Sequence, residues 1–243
     1  MPGGGRFVSA VFVCFTMTDS PCIRFDDHRT ERIGLSEAVF CEGKPRRALV
    51  TLLERFATPD AVPILFTRLS EDIFNALPLS RELRSTLNYD ALSRTAWFKK
   101  NPLVSDKKVA VVSAGTADGF VTREITRTLE FSGRAFERFE DCGVAGLWRI
   151  EAALPAINAC DCVVVVAGLD AALASVLGGL TEKPLFAVPT SVGYGVAQSG
   201  MTAMSSMLAS CAPGVAVLNI DNGYGAACAA IRVLRALDKA AAA

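Results

Sequence analysis

The segment SSMLASCAPGVAVLNIDNGYGAACA, residues 205–229, places a single thiol, Cys211, between a helix rich in small residues and a Pro-Gly break. A cysteine can form a covalent intermediate with a substrate when its thiolate is populated. Reactive thiols favour helix amino termini or cationic neighbours, whereas Cys211 follows a helix. The residues alone therefore leave two interpretations open, a thiol that packs the helix end, which is the commoner case, and a nucleophile beside a pocket.

A carboxylate, Asp170, follows the Val-rich segment DCVVVVAG and Gly168. At the start of a helix a carboxylate is stabilised by the helix dipole, which would make Asp170 a structural residue. At the end of a buried strand it could equally act as an acid or base, or orient a substrate. Both interpretations stay open at this point.

Glycine-containing loops follow five predicted strands: SAGTADG, EDCGVAG, VAGLD, VPTSVGYG and NIDNGYG. In an open parallel sheet, ligands bind beyond the carboxyl ends of the strands, where backbone N–H groups and helix amino termini are exposed. We expect the substrate to bind there. The candidate binding residues are Ser113, Gly115, Thr116, Asp118, Gly143, Gly168, Pro189, Thr190, Ser191, Gly193, Tyr194, Gly195, Asn219, Asp221, Asn222 and Gly223.

These loops differ in how specific they are. Residues 113–118 offer hydroxyls and backbone donors to a phosphate, but they match neither a Walker loop nor G-x-G-x-x-G. An ordinary strand-to-helix turn, with Thr116 or Asp118 as the N-cap, explains them as well. PTSVGYG is more specific, because two glycines let the backbone approach a ligand, and Asp221-Asn222-Gly223 fits either a tight turn or a site-facing strand end.

The periodicity of the second half predicts the elements that position these loops. Buried Val/Ile/Ala runs alternate with helices at 117–132 and near 171–180, which is typical of a parallel sheet covered on both faces. We predict an α/β fold with a doubly wound parallel sheet in a domain spanning 107–243. Residues 17–100 predict a smaller amino-terminal α/β segment, with a helix at 46–57, a strand PILFTR and a helix from Ser70.

Composition predicts where the two segments are joined and where the folded part of the chain begins. Residues 99–108, KKNPLVSDKK, are polar and contain a proline, so we predict a linker there. Residues 1–16 contain a short apolar run that is too short to span a bilayer. We expect them to be a disordered or misassigned extension, with Met17 as an alternative start.

Composition excludes several classes of protein. The chain has 243 residues, with 25 basic and 25 acidic side chains, so we expect neither nucleic acid nor a membrane as a partner. Eight cysteines without a Cys-x-x-Cys, and a single histidine, His28, in a charged surface stretch, argue against a disulfide framework and a zinc site. We expect a cytoplasmic, reducing setting. Cys142, Cys160, Cys162 and Cys228 are predicted to pack in the core.

Five segments together resemble the LarB family, the pyridinium-3,5-biscarboxylic acid mononucleotide synthases that make the first intermediate of the nickel-pincer cofactor. They are VAVVSAGTADG, DCGVAGLWRI, VVVVAGLDAALASVLGGL, PLFAVPTSVGYG and MLASCAPGVAVLNIDNGYGAA. The resemblance extends over about residues 22–237, since FDDHRTERIGLSEAVFCEGK is similar to the family's amino-terminal signature. The matching residues of that half are Asp26, Arg29, Arg32, Gly34, Glu37, Phe40, Gly43, Lys44, Thr67, Arg68, Tyr89 and Arg94.

The resemblance implies a flavodoxin-like catalytic domain related to the purine-pathway carboxylase/mutase for aminoimidazole ribonucleotide (PurE). It implies carboxylation of nicotinic acid adenine dinucleotide at ring C5 by carbon dioxide or bicarbonate, with phosphoanhydride hydrolysis that releases AMP. Cys211 matches the family's covalent cysteine, and Asp170 is its catalytic partner. Asp26, Arg29, Arg32, Lys44 and Arg68 are the substrate-binding residues expected in the amino-terminal segment.

The resemblance also implies a homo-oligomer, an octamer, and no tightly bound cofactor; the metal is unknown and a need for Mg²⁺ stays open. This sequence departs from the family at two positions, with Asp170 where glutamate is usual and Trp148 where histidine is common. Two alternative functions follow. One is the purine-pathway carboxylase or mutase itself, and the other is a nucleotide-binding module that has lost catalysis.

Overall fold

The computed structural model describes residues 23–26 and 28–242, so the predicted extension at 1–16 lies outside the described residues. The helices are α1 Arg29–Ile33, α2 Arg46–Phe56, α3 Glu71–Ala76, α4 Arg81–Thr86, α5 Gly119–Phe131, α6 Trp148–Asn158, α7 Ala172–Gly178, α8 Met201–Leu208 and α9 Gly223–Ala241. The strands are β1 Ala38–Phe40, β2 Leu65–Thr67, β3 Asn88–Asp90, β4 Thr95–Trp97, β5 Ser105–Ser113, β6 Arg134–Phe139, β7 Cys162–Ala167, β8 Leu185–Pro189 and β9 Val215–Val217.

The carboxyl-terminal half forms a five-stranded sheet in the order β6-β5-β7-β8-β9. Every neighbouring pair is parallel, and β7 is buried along its whole length, as its Val-rich sequence predicts. Separate apolar clusters cover the two faces, one with α6, α7 and α8 and the other with α5 and α9. The prediction of a doubly wound α/β fold is confirmed, and the strand order reverses between β5 and β7.

The amino-terminal segment has a sheet and a core of its own. Its strand order is β1-β2-β4-β3, with β1 and β2 parallel and the remaining pairs antiparallel. Leu49 and Leu53 of α2 pack on Phe66 of β2 in this core. Ser70 caps α3 by accepting a hydrogen bond from the Ile73 N–H at 3.3 Å, where the sequence predicts a helix start.

The predicted linker at 99–108 is only partly a connection. Strand β5 begins at Ser105, because its first residues pair with β6 despite their polar side chains. The residues before β5 are also held, since the Asn101 and Val104 N–H groups donate to Phe131 and Gly133 at 2.9 Å each. The two halves are therefore joined by a packed segment and not by a free linker.

The buried guanidinium of Arg127, on α5, connects the two halves by hydrogen bonds to residues of β3 and β4. It donates to Thr95 Oγ1 at 2.9 Å, to Asn88 Oδ1 at 2.7 Å and to the Asn88 carbonyl at 2.8 Å. It lies 3.6 Å from the ring centroid of Trp97. Burial lowers the pKa of Arg127 to about 10, so the side chain is still a cation at neutral pH.

A second contact comes from the last helix, where Arg235 Nη1 donates to the Gly34 carbonyl at 2.9 Å. This bond crosses 201 residues of sequence. Arg127 of α5 and Arg235 of α9 thus hold the amino-terminal segment against the carboxyl-terminal half.

Replacing Arg127 with methionine should lower the free energy of unfolding by about 2–3 kcal/mol, because the fully buried Thr95 hydroxyl loses a charged donor and the guanidinium contact with the Trp97 ring is lost. The matched control is Arg123→Met, one turn earlier on α5, where the guanidinium is part-exposed and lies 3.4 Å from Asp90. That variant should lose no more than about 1 kcal/mol. Urea unfolding measures both, and equal losses would contradict the role assigned to Arg127.

Candidate active site

A cavity of about 860 Å³ opens at the carboxyl ends of the strands, where the strand order reverses. Loops after β5, β6, β7 and β8 all contribute to its wall. The predicted site residues among those lining it are Gly115, Thr116, Asp118, Gly143, Gly168, Asp170 and Tyr194. The sequence thus predicted the location of the cavity and part of its wall.

Asp118 organises the base of this cavity. The side chain is 3% exposed, and its Oδ1 accepts from the Thr190 hydroxyl at 2.7 Å while its Oδ2 accepts from the Gly115 N–H at 2.9 Å. Burial raises the pKa of Asp118 above its ordinary value of 3.8, although hydrogen bonds from Thr190, Gly115 and Gly168 act in the opposite direction. One carboxylate therefore ties together the ends of β5, β7 and β8.

Glycine is required where two of these loops touch. A Cβ on Gly168 would lie 2.4 Å from the Val192 carbonyl oxygen and 2.6 Å from Thr190 Oγ1. A Cβ on Gly193 would lie 2.4 Å from the Ala197 carbonyl oxygen. Gly168 therefore lets the loops after β7 and β8 approach each other, and Gly193 lets the loop after β8 fold back on itself. The approach of these glycines to a ligand stays a prediction.

Asp170 lies at the cavity wall with its side chain exposed. Its Oδ1 accepts from the Ala172 N–H at 3.3 Å, at the beginning of α7. The residues on either side, Leu169 and Ala171, have φ angles of 53°, a left-handed conformation that costs on the order of 1–3 kcal/mol per non-glycine residue. This backbone holds Asp170 between two strained residues, at a position available to a bound molecule.

The cavity carries negative charge. Among the described residues that line it, Asp118, Asp141 and Asp170 are charged and none is cationic. The guanidinium of Arg149, which does not line the cavity, pairs with Asp141 at 2.9 Å. Such a wall favours a ligand group that carries positive charge. Sequence reasoning missed Asp141, although it follows β6 in the same way that Asp170 follows β7.

The remaining strand-end residues support the loops around the cavity. Ser113 and Thr190 are buried, and Pro189 is the last residue of β8. Asp221 Oδ1 accepts from the Ser191 N–H at 2.8 Å, and Asn222 caps α9 by accepting from the Gly225 N–H at 2.8 Å. The predicted strand-end residues that do not line the cavity are Ser113, Pro189, Thr190, Ser191, Gly193, Gly195, Asn219, Asp221, Asn222 and Gly223.

A narrow cleft lies between the two halves of the chain, beside the hydrogen bonds of Asp221 and Asn222. Arg68 and Arg94 line it together with Asp221, and all three have φ between 54° and 56°. Glu124, which is buried there, accepts from Thr67 Oγ1 at 2.6 Å and lies 3.7 Å from Arg68 Nε. Burial raises the pKa of Glu124. Arg68 thus contacts the sheet edge but not the main cavity.

The other predicted amino-terminal residues interact with one another. Arg32 pairs with Asp26 at 2.5 Å, and Arg29 lies 3.8 Å from Glu37. Hydrogen bonding and charge from Arg32 lower the pKa of Asp26. Lys44 is exposed, and none of these residues lines the cavity. Their assignment to substrate binding stays a prediction.

Cys211 lies away from the cavity. It is exposed, in the loop between α8 and β9, and a loop that precedes a parallel strand lies at the amino edge of the sheet. Its neighbours pack along α7, since Ser210 Oγ is 2.7 Å from Ser175 Oγ and Ala212 faces Gly178. Those contacts lie five and eight residues beyond Asp170, which is about 8–12 Å along the helix. Cys211 therefore does not line this cavity, and its assignment as the covalent nucleophile stays a prediction.

The other cysteines and the histidine have structural positions. Cys142, Cys160 and Cys162 are buried, as predicted, and Cys228 packs part-buried against the α5/α9 cluster. His28 is 80% exposed beside Glu31. Within residues 23–26 and 28–242 no group of three or more His, Cys, Asp or Glu side chains is arranged to hold a metal ion. In the same residues, no helix combines the length and apolarity needed to cross a membrane.

Replacing Thr190 with valine should destabilise the protein by about 1–3 kcal/mol, because the Asp118 carboxylate loses a buried donor. The pKa of Asp118 is raised in the folded state, so its contribution to stability is complete below the unfolded value and is lost as the pH rises through the folded pKa. Thr190→Val raises that pKa further, so the deficit should shrink as the pH falls.

Urea unfolding at pH values of about 7.5 and about 4 measures this change. Thr190→Ser is the control, because it keeps the hydroxyl and should show a deficit that does not depend on pH. A deficit for Thr190→Val that stays constant between the two pH values would contradict the coupling to Asp118.

Comparison with known proteins supports a carboxylase or mutase type of enzyme. Residues 17–100 match the LarB/PurE-like N-terminal domain, and residues 108–243 match AIR carboxylase. The uncharacterized protein MJ0165 of Methanocaldococcus jannaschii is 35% identical over 214 residues, which cover 84% of this chain and 80% of that protein. The order of the two matched domains is the one expected from the sequence motifs. The chain therefore belongs to the LarB family, with a carboxyl-terminal domain of the AIR carboxylase, PurE-like type.

Proposed function

We propose that this protein carboxylates the pyridinium ring of nicotinic acid adenine dinucleotide at C5 and hydrolyses its phosphoanhydride, releasing AMP and pyridinium-3,5-biscarboxylic acid mononucleotide. The observation that carries this proposal is the anionic cavity at the switch point of an AIR carboxylase-type domain. A pyridinium is a cation, and a wall containing Asp118, Asp141 and Asp170 favours it over a neutral ring.

Covalent catalysis is needed because a pyridinium is too poor in electrons to attack carbon dioxide. The thiolate of Cys211 adds to the ring carbon next to C5, which cancels the ring charge and makes C5 an enamine-like nucleophile. C5 then forms a carbon–carbon bond to carbon dioxide, and Asp170 accepts the C5 proton. The ring electrons expel the thiolate, which restores the aromatic ring. In a separate step, water adds to one phosphorus of the anhydride and AMP leaves.

The geometry of one chain separates these two groups. Cys211 and Asp170 must each approach neighbouring ring carbons to about 3–3.5 Å, whereas α7 separates them by about 8–12 Å. We therefore propose that the thiol comes from a second copy of the chain. A two-fold arrangement would supply each cavity with the partner's thiol, because the same two surfaces meet twice.

The surfaces around both groups suit such an assembly. Tyr194, Val196 and Met201 beside the cavity are 82%, 94% and 59% exposed, and Leu208 near Cys211 is 65% exposed. In the proposed assembly these exposed apolar side chains are covered by the second copy. An oligomer as large as the predicted octamer contains several such interfaces. A cytoplasmic setting suits the proposal, because it keeps the thiol reduced.

Purified protein with nicotinic acid adenine dinucleotide and bicarbonate should produce AMP and the dicarboxylated mononucleotide, detected by mass spectrometry. Cys211→Ala should lower kcat on the order of 10³-fold or more, because the covalent step is lost. Cys228→Ala, at a part-buried thiol that packs in the core, should retain activity. No product from the wild type, or full activity in Cys211→Ala, would refute the proposed reaction.

Mixing two inactive variants tests whether the thiol acts between copies. Cys211→Ala and Asp170→Asn should each be inactive, whereas an equimolar mixture reassembled from separated chains should regain about a quarter of the wild-type activity. A mixture of Cys211→Ala with the double variant is the control and should regain none. Active wild type without any rescue would mean that the thiol acts within its own chain.

The purine-pathway carboxylase or mutase is the second candidate, because residues 108–243 match AIR carboxylase. Turnover of aminoimidazole ribonucleotide with bicarbonate, in place of the dinucleotide, would favour it. Against it, the single histidine lies at the surface near α1 and away from the cavity. The third candidate, a nucleotide-binding module without catalysis, would bind either nucleotide and turn over neither.

A further inference from the structure

A second cavity, of about 560 Å³, adjoins the first one. It is lined by Phe139, Asp141, Cys142, Trp148 and Arg149, among others, and Asp141 also belongs to the wall of the main cavity. The two spaces therefore meet at one residue. The turn at 143–146 and the amino terminus of α6 lie between them.

Trp148 dominates the second cavity. It is 68% exposed, whereas the other tryptophan of the chain, Trp97, is 3% exposed. A Cβ on Gly146 would lie 3.2 Å from the indole nitrogen, so the preceding turn packs closely against one edge of the ring. An indole that is this exposed offers a flat aromatic face to a bound base.

Arg149 adds a cation beside this ring. Its guanidinium carbon lies 5.7 Å from the Trp148 ring centroid, and its Nη1 is 2.9 Å from Asp141 Oδ1. Aromatic rings and guanidinium planes are the groups on which nucleic-acid bases stack. Helix α6 begins at Trp148, so the positive end of its dipole and its free backbone N–H groups lie near Arg149. Such a helix terminus favours phosphate oxygens.

From these contacts we propose that Trp148 and Arg149 bind the adenine end of the dinucleotide substrate. The inference rests on the proposed function for the nature of the substrate. The pyridinium ring occupies the anionic cavity, the phosphoanhydride crosses the amino terminus of α6 near Arg149, and the adenine stacks on Trp148. The substrate thus spans two adjoining spaces, with the pyridinium in the one lined by three carboxylates and the base beside the exposed indole.

Fluorescence of Trp148 provides a direct test of binding. In the Trp97→Phe variant Trp148 is the single tryptophan, and AMP should quench its emission in a saturable manner. Ribose 5-phosphate, which lacks a base, should quench it little. In Trp148→Phe the remaining emission comes from buried Trp97 and should not respond to AMP. The absence of saturable quenching by AMP in Trp97→Phe would overturn the proposal.

Steady-state kinetics separate this role from the chemistry. Trp148→Ala should raise KM for the dinucleotide about 10-fold to 100-fold and leave kcat nearly unchanged, because the stacking lost lies far from the ring that reacts. Trp148→Phe should fall between the wild type and Trp148→Ala. Arg149→Gln should also raise KM, whereas Arg138→Gln, at an exposed guanidinium 3.3 Å from Glu140, is the control and should not.

The outcomes distinguish this inference from the proposed reaction. AMP binding at Trp148 without carboxylation of the dinucleotide would support the adenine site and refute the reaction. Carboxylation with unchanged KM in Trp148→Ala would support the reaction and refute the adenine site. A change in the oligomer size of Trp148→Ala on sizing, with AMP quenching absent in Trp97→Phe, would assign this surface to contact between copies and refute the adenine site.

Discussion

The buried carboxylate of Asp118 is the constraint on which the shape of the cavity at the carboxyl ends of the strands depends. A charge that is 3% exposed is tolerated because donors from three different strand ends converge on it. The loops after β5, β7 and β8 therefore cannot move independently, since a shift of any one leaves the carboxylate short of a donor. The pKa of Asp118 is raised because burial disfavours the charged carboxylate. The same buried contacts hold the three loops at fixed distances from one another.

This constraint also explains why buried and exposed residues have different roles in the proposed mechanism. The interior of the cavity supplies geometry and negative charge, whereas the exposed side chains of Asp170 in its wall and Trp148 in the adjoining cavity are the ones proposed to contact the substrate. Asp170 has one methylene less than the usual glutamate, so its reach depends on the strained backbone at Leu169 and Ala171. The thiol lies beyond the far end of α7, where it is available to another molecule and not to its own cavity.

Much of this architecture could be predicted from the sequence because the signals are local. The Val-rich run of β7 and the glycines that follow each strand indicated a parallel sheet with a site at its carboxyl edge. The position of Cys211 was predictable in principle, since a residue that precedes a strand lies at the opposite edge from one that follows it. Motif similarity indicates the chemistry of this thiol but not the edge of the sheet on which it lies.

Other features depend on long-range contacts that no local pattern encodes. Arg127 looks like an ordinary helix-surface arginine in the sequence, yet its partners lie 32 and 39 residues earlier. The polar residues that predicted a linker at 99–108 extend into β5, because pairing with β6 outweighs their poor strand propensity.

The contact between Arg235 and the Gly34 carbonyl has a consequence for how the protein is made. A ribosome releases the chain from its amino terminus, so the early segment emerges long before α9 exists. Its α1 end cannot acquire this last contact until nearly the whole polypeptide has been synthesised. The amino-terminal segment therefore cannot complete its native contacts until α9 has been synthesised. A nascent chain that stops short of residue 235 lacks the hydrogen bond to Gly34.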